Sequence, residues 1–235
     1  MGFADMDKSE RQDELYKIIS EVGYASVEYL SRKTYQSQST IRRDLDQLER
    51  AGLIVRRHGG AELAGNVTWL PLNSRIAKNH AAKLEIGKKA AALAKAGRTL
   101  FIDASSTCLE MARYLIGTPG IVVFTNGLEV ASMLGNAGVV TSVIGGHVIP
   151  RSNAIAGEEA IIAASRINFD MLFFSSNGFA DDIVTDYSEQ ETKLRQVLIE
   201  RSEKKYFLCD KSKFGIKSTY VVCTRDDIDD VITEE

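Results

Sequence analysis

Two groups of residues in this 235-residue chain have types and spacings suited to binding chemistry. The first is cationic. In SQSTIRRDLDQLERAGLIVRRHGG (37–60), Arg42 and Arg43 stand side by side, Arg56 and Arg57 do so again, and His58 follows at a Gly59-Gly60 pair. A guanidinium presents five donors in a rigid planar fork that matches the oxygens of carboxylates, phosphates and base edges. Ser37, Gln38, Ser39 and Thr40 add short neutral hydrogen-bonding groups just ahead of the first arginine pair. The second group is small and polar. Asp103 with Ser105, Ser106 and Thr107, then Thr125-Asn126, Gly145-Gly146, Ser176-Asn177-Gly178 and Asp210 with Lys213 each follow a run of apolar residues. Hydroxyls, amides and the free N–H groups of a helix start receive the oxygens of small hydroxylated or phosphorylated molecules.

The elements that position the first group are readable from periodicity. Leu15, Ile18, Ile19 and Val22 have the three-and-four spacing of a helix from Lys8 to about Gly23. Ala25 to Glu28 opens a second helix that turns Val27 and Leu30 inward. Ser37 then caps a third, from about Gln38 to Ala51, with Ile41, Leu45 and Leu48 inward and Gly52 as its stop. Leu53 to Arg57 reads as a strand, His58-Gly59-Gly60 as a tight turn and Ala61 to Leu63 as the return. Helix, helix, turn, helix and a two-stranded wing is the order that lays a recognition helix in the major groove of double-stranded DNA and a wing along its phosphates. The competing reading is that these arginines are solvated or paired with Asp44, Asp46 and Glu49. Residues 1–60 hold ten Lys/Arg and ten Asp/Glu, a net of zero, so bulk charge does not decide. Position favours DNA, because the cations gather at the head of the third helix and on the turn.

The second group needs a different scaffold. Periodicity lapses over 64–80, a linker that its Trp69 suggests is docked, and an amphipathic helix from Ala81 to Lys95 follows. TLFID, IVVFTN, VVTSVIGG, DMLFFSSNG and KKYFLCD are short Val/Ile/Phe-rich strands alternating with helical segments, the pattern of a largely parallel α/β sheet covered on both faces. Ligands of such sheets bind at the carboxyl ends of the strands, where the polar residues fall. Lys193, on the helix SEQETKLRQVLIERS, and Lys213 supply positive charge for a phosphate, or else are solvated surface lysines. There is no GxGxxG or Walker lysine loop, and His58, His80 and His147 are isolated, so dinucleotide, ATP and metal chemistry are unsupported and no cofactor is expected.

Composition agrees with a globular chain of two domains, 44% hydrophobic and 26% charged with a net charge of −3. Cys108, Cys209 and Cys223 are far apart and unpaired in spacing, as reduced thiols are. The polar N-terminus and the lack of an apolar run long enough to span a bilayer lead to an expected cytoplasmic location.

STIRRDLDQLERAGLIVRRHGGAEL resembles the helix-turn-helix signature of the DeoR/GlpR family of bacterial transcriptional regulators, with Lys33, Tyr35 and Gln36 departing from the family's apolar, Gly and Val upstream of it. FIDASSTCLEMARYL, FTNGLEVASML, VIGGHVIPRSNAIAG and LCDKSKFG are similar, in order and spacing, to that family's C-terminal sensor domain, which resembles sugar-phosphate isomerases. The resemblance implies a winged helix-turn-helix domain (1–63), a linker (64–80) and a larger C-terminal α/β sensor domain (81–235). It implies a repressor of carbohydrate genes that binds operator DNA through Ser37, Gln38, Ser39, Thr40, Arg42, Arg43, Arg56, Arg57 and His58. By it, Asp103, Ser105, Ser106, Thr107, Thr125, Asn126, Asn177, Lys193, Asp210 and Lys213 line the pocket of a phosphorylated-sugar effector, with Asp103 and Asn126 taking sugar hydroxyls. Ser175-Ser176-Asn177-Gly178 departs from the family's Gly-Ala-Asp-Gly. A homo-oligomer, dimer or tetramer, is expected because one winged helix makes few base contacts. Two rivals stay open: an isomerase in which Asp103, Glu191 or Lys193 moves a proton, and a winged helix that binds protein rather than DNA.

Overall fold

A computed structural model describes residues 8–22, 24–50, 53–63, 72–94, 98–149 and 152–235. The chain divides into two compact units, Met1–Ser74 and Arg75–Glu235. Gly23, Gly52 and Trp69, read above as helix stops and a docked linker aromatic, lie outside the described residues.

The first unit comprises α1 (Lys8–Val22), β1 (Tyr24–Ser26), α2 (Val27–Thr34), α3 (Gln38–Arg50), β2 (Ile54–Arg57) and β3 (Gly60–Leu63). Leu15, Ile19, Leu30, Ile41 and Leu45 are fully buried in one core with Val27, Leu48 and Ile54, which realises the three-and-four spacing of the sequence. Tyr35 adopts a left-handed φ of 54° at the end of α2 and turns the chain toward α3. The Ser37 Oγ accepts the Thr40 N–H at 3.1 Å and caps α3. Asp44 is not a surface partner for the arginines that follow it. It is buried and receives Arg11 Nε at 2.6 Å, which ties α1 to α3.

One expectation is corrected here. Tyr24–Ser26 is a strand, and α2 begins only at Val27, because the backbone of β1 pairs antiparallel with the returning strand of the wing, Tyr24 with Glu62 and Ser26 with Gly60. Gly60 permits this approach: a Cβ there would lie 2.3 Å from the Ala25 carbonyl oxygen. The wing is therefore a three-stranded sheet, β1-β3-β2, with His58-Gly59 as its turn.

The second unit is built on a parallel sheet in the order β14-β12-β9-β4-β5-β6. Its strands are β4 (Thr99–Ile102), β5 (Val122–Thr125), β6 (Val140–Val143), β9 (Phe169–Phe174), β12 (Ser202–Leu208) and β14 (Asp230–Ile232). Fully buried Leu100, Ile102, Val123 and Phe173 face one cluster, and Phe101, Leu172, Phe174 and Phe207 face the other, so both faces of the sheet are covered. One layer contains α5 (His80–Leu93), α6 (Ser106–Arg113) and α7 (Leu128–Asn136). The other contains α8 (Glu158–Ser165) and α9 (Glu189–Glu200). A hairpin, β7 (His147–Ile149) with β8 (Ala154–Ala156), and a small antiparallel sheet, β10 (Gly178–Ala180), β11 (Ile183–Asp186) and β13 (Tyr220–Thr224), stand beyond the strand ends. Residues 75–80, read in the sequence as the tail of the linker, belong to this unit, and α4 (Leu72–Ala77) leads into it.

Candidate functional site

On the first unit, the exposed face of α3 opposite its buried leucines carries Gln38, Ser39, Arg42 and Arg43, two pairs four residues apart on adjacent turns. Ser37 Oγ lies 2.8 Å from Ser39 Oγ and 2.9 Å from Thr40 Oγ1, and Arg42 Nη2 donates to Gln38 Oε1 at 3.1 Å. On the wing, Arg56 Nη1 is 3.5 Å from Asp46, and the Arg57 guanidinium donates twice to Glu62 Oε1, at 2.8 and 2.6 Å. His58 is exposed at the turn, where its carbonyl accepts the Tyr24 hydroxyl at 3.1 Å. The arginine–acid pairing weighed against DNA thus exists on the wing. The exposed Arg57–Glu62 pair is weak in water and holds its guanidinium without withdrawing it from a polyanion, whereas Arg56 is only partly exposed and its Nη1 is buried.

On the second unit, topology locates the candidate ligand site. From β4 the chain proceeds to β5 and β6 on one side, whereas β9, β12 and β14 lie on the other, so the direction of winding reverses between β4 and β9. A crevice at the carboxyl ends of two such strands is where open α/β sheets bind ligands. Asp103 sits there, buried. Its Oδ1 accepts the Ser105 N–H at 2.9 Å, and its Oδ2 accepts the Ser175 N–H and Arg195 Nε, each at 3.2 Å. Arg195, on α9, also donates through Nη1 to Asp186 at 2.8 Å and lies 3.6 Å from Glu191. Asp186 further accepts Ser176 Oγ at 2.9 Å and Asn177 Nδ2 at 3.1 Å.

Alongside this hub, Lys213 Nζ donates to Ser175 Oγ at 2.7 Å, and Asp210 accepts Asn79 Nδ2 at 3.0 Å. Lys83 is buried, and its ammonium donates to the carbonyls of Arg75 and Lys78. Thr125 Oγ1 accepts the Gly127 N–H at 2.9 Å, and Asn126 Nδ2 donates to the Ile155 carbonyl at 3.1 Å. Ser105 Oγ caps α6 by accepting the Cys108 N–H at 3.1 Å, while the first-turn N–H groups of Ser106 and Thr107 have no carbonyl to meet within the helix. Thr107 Oγ1 and Asn126 Oδ1 are among the buried side-chain oxygens left without hydrogen-bond partners.

The sequence-derived residues Asp103, Ser105, Ser106, Thr107, Thr125, Asn126, Asn177, Asp210 and Lys213 all fall at these strand ends. Two expected roles change. Asp103 organises the strand ends, its oxygens already engaged by two N–H groups and a guanidinium, so it is not a free acceptor for sugar hydroxyls. Lys193 is apart from the cluster: it is exposed and pairs with Glu189 at 2.7 Å, because α9 turns Glu191, Leu194, Arg195 and Leu198 inward and Lys193 outward. Sequence reasoning missed Arg195, Asp186, Lys83 and Arg75. The signal for Arg195 was present, since it shares the inward face with Leu194 and Leu198 at helical spacing.

Burial pushes the Glu191 carboxyl up to about 7, outweighing the pull of Arg195 and Arg75. Burial likewise brings Lys83 down to about 8, helped by the nearby Lys213. Arg195 is drawn down by burial but raised further by Asp186, Asp103 and Glu191, and it stays charged. A carboxyl whose folded value lies above its unfolded one stabilises the fold below the unfolded value and loses that contribution as pH rises through the folded value. Glu191 should therefore weaken the second unit progressively between about pH 4.5 and 7. Denaturant unfolding of wild type and Glu191→Gln from pH 5 to 8 tests this: the stability difference should shift in favour of the glutamine as pH rises. A difference independent of pH would remove the assignment.

A winged helix-turn-helix unit joined to an α/β unit with polar strand ends at its switch point has the architecture of a DNA-binding transcriptional regulator. Residues 11–66 match the model of the DeoR-like helix-turn-helix domain and residues 78–235 that of the DeoR C terminal sensor domain, and the chain belongs to the DeoR family. It is 36% identical over 228 residues to the HTH-type transcriptional regulator GolR of Listeria innocua, covering 96% of this chain and 90% of that protein. It is 30% identical over 212 residues to the glycerol-3-phosphate regulon repressor of Escherichia coli K12, covering 89% and 84%. In fold it is similar to eIF2B delta from Chaetomium thermophilum, with a TM-score of 0.50 at 14% identity over 99% of this chain and 72% of that one. No helix among the described residues is long and apolar enough to cross a membrane.

Proposed function

We propose that the chain represses genes of carbohydrate metabolism and that a phosphorylated sugar, bound at the β4–β9 switch point, releases it from its operator. The observation that carries this reading is the unfinished hydrogen bonding of the crevice. Thr107 Oγ1, in the open first turn of α6, and Asn126 Oδ1, after β5, are unpartnered, and the Lys213 ammonium stands on Ser175 after the neighbouring β9. Acceptors suit sugar hydroxyls, and the helix start with the ammonium suits a phosphate. The relative named for a glycerol-3-phosphate regulon supports the same chemistry. For the effector to act, it must bind better to the arrangement that cannot hold DNA. A dimer or tetramer would present two recognition helices to a symmetric operator.

The test begins with an operator selected from random duplexes. Calorimetry with matched pairs, such as glycerol and glycerol 3-phosphate or a hexose and its phosphate, should show binding of a phosphorylated member only, with release of the operator. The Ser106→Ala, Lys213→Ala double variant should bind operator as wild type does and need at least about tenfold more effector for release, the worth of a charge-assisted hydrogen bond. Equal affinity for both members of every pair, or unaltered release in the double variant, would mean the pocket is elsewhere. Isomerisation of a bound sugar phosphate would favour the enzyme instead.

A further inference from the structure

Arg75 is the feature of the second unit that the reading above leaves unused. Its Nε and Nη2 are both buried, and neither has a hydrogen-bond partner. These two nitrogens form the lateral edge of the guanidinium, whose parallel N–H bonds fit two oxygens of one phosphate or carboxylate. Leaving them dry is costly, since a buried unpaired donor forfeits its hydration without return. Burial indeed lowers the Arg75 value, against the pull of Glu191, Asp103 and Asp186 and with the push of Arg195, which places the guanidinium beside the switch-point cluster. Of the carboxylates there, Asp103 and Asp186 are occupied by Arg195 together with Ser175, Ser176 and Asn177, and Glu191, which pulls on Arg75 most, accepts no hydrogen bond from its Nε or Nη2. Meanwhile the Arg75 backbone is fixed, because the buried Lys83 ammonium donates to its carbonyl and to that of Lys78. An unfilled bidentate edge on an anchored backbone, beside the switch-point cluster, has the form of a prepared oxyanion site.

Arg75 also has a singular place in the chain. It lies on α4 (Leu72–Ala77), the helix within which the first unit ends, at Ser74, and the second begins. We propose that the lateral edge of Arg75 is a subsite for an oxyanion of the effector, and that filling it is the event α4 transmits to the DNA-binding unit. The proposal rests on the effector being a small anion. The oxyanion is the phosphate of a sugar phosphate or the carboxylate of a sugar acid, two sources of the same bidentate chemistry.

The experiment uses the full chain and three probes: inorganic phosphate, glycerol 3-phosphate and gluconate. Saturable thermal stabilisation of wild type by at least one is expected, phosphate and gluconate separating the two sources. Arg75→Met keeps the bulk but not the donors and should abolish the response, while a cooperative ligand-free melting transition shows that the variant still folds. Arg75→Lys keeps the charge but not the fork and should weaken binding at least about tenfold. A Gly-Ser-Gly insertion between Ser74 and Arg75 should keep the affinity of the oxyanion that binds and lose operator release. No response of wild type to any probe, equal affinity in Arg75→Lys, or full release in the insertion variant would overturn the proposal. Binding of phosphate or gluconate through Arg75, with every sugar phosphate ignored, would uphold the subsite while refuting the sugar-phosphate reading.

Discussion

Arg195→Met should destabilise the second unit by about 3 to 5 kcal/mol, the usual consequence of removing one partner from a buried ion cluster. For a unit of this size that is a fall in melting temperature of about 6 to 20 °C. The size of the effect follows from how many groups share the guanidinium. Asp103 joins the ends of β4 and β9 through Ser105 and Ser175, and Asp186 joins β11 to the loop after β9 through Ser176 and Asn177; Arg195 bonds both carboxylates. Methionine fills similar volume but leaves two buried carboxylates without their cation, so the cost is electrostatic rather than a cavity. Lys193→Ala, two residues away on the exposed face of the same helix, should change the melting temperature little. Calorimetric scans of both variants decide the matter, and comparable losses in the two would show that α9 does not present Arg195 to the strand ends as a structural hub.

The pair Lys193 and Arg195 also marks where the sequence could be read and where it could not. The parallel strands were legible because TLFI, VVFT and MLFF are apolar on both faces, and a central strand of a covered sheet has no solvent side to alternate with. Strand ends were legible because Asp103, Asn126 and Asp210 each close an apolar run, and buried polar groups there must find partners. Which cation serves that edge was not. A charged residue at a buried helical position contradicts the rule that charges face water, and only its partners, distant in sequence, reconcile it. Helical spacing marks Arg195 as inward-facing, but its partner Asp103 lies ninety-two positions away, and Lys83 supports Arg75 through backbone carbonyls, so neither partner is marked locally. The same holds for β1, three residues long, whose existence depends on Gly60 leaving room for the Ala25 carbonyl.

The largest expected loss of function belongs to the four arginines of the first unit. Arg42→Ala and Arg43→Ala should each weaken operator binding by about 1 to 3 kcal/mol if they make bidentate base contacts, and the loss should depend on operator sequence. Their neighbours favour that role: Gln38 and Ser39 share the same exposed face of α3, and the core leucines hold that face outward. Arg56 and Arg57 should behave differently, since Asp46 and Glu62 already hold them at the surface and a phosphate need only exchange with an exposed carboxylate. Removing each should weaken binding to all sequences alike and flatten the salt dependence by about one unit of slope per contact. Glu62→Gln separates the two possibilities for Arg57. If the guanidinium reaches DNA, neutralising its competitor should strengthen binding most at low salt, where electrostatic attraction is least screened. If the Arg57–Glu62 pair serves only to stiffen the wing, the same substitution should weaken binding at every salt concentration. Together the four alanines should reduce operator affinity by several orders of magnitude while leaving the sensor unit's response to its effector intact, and a quadruple variant with wild-type affinity and salt slope would exclude this face of the unit as the DNA-binding surface.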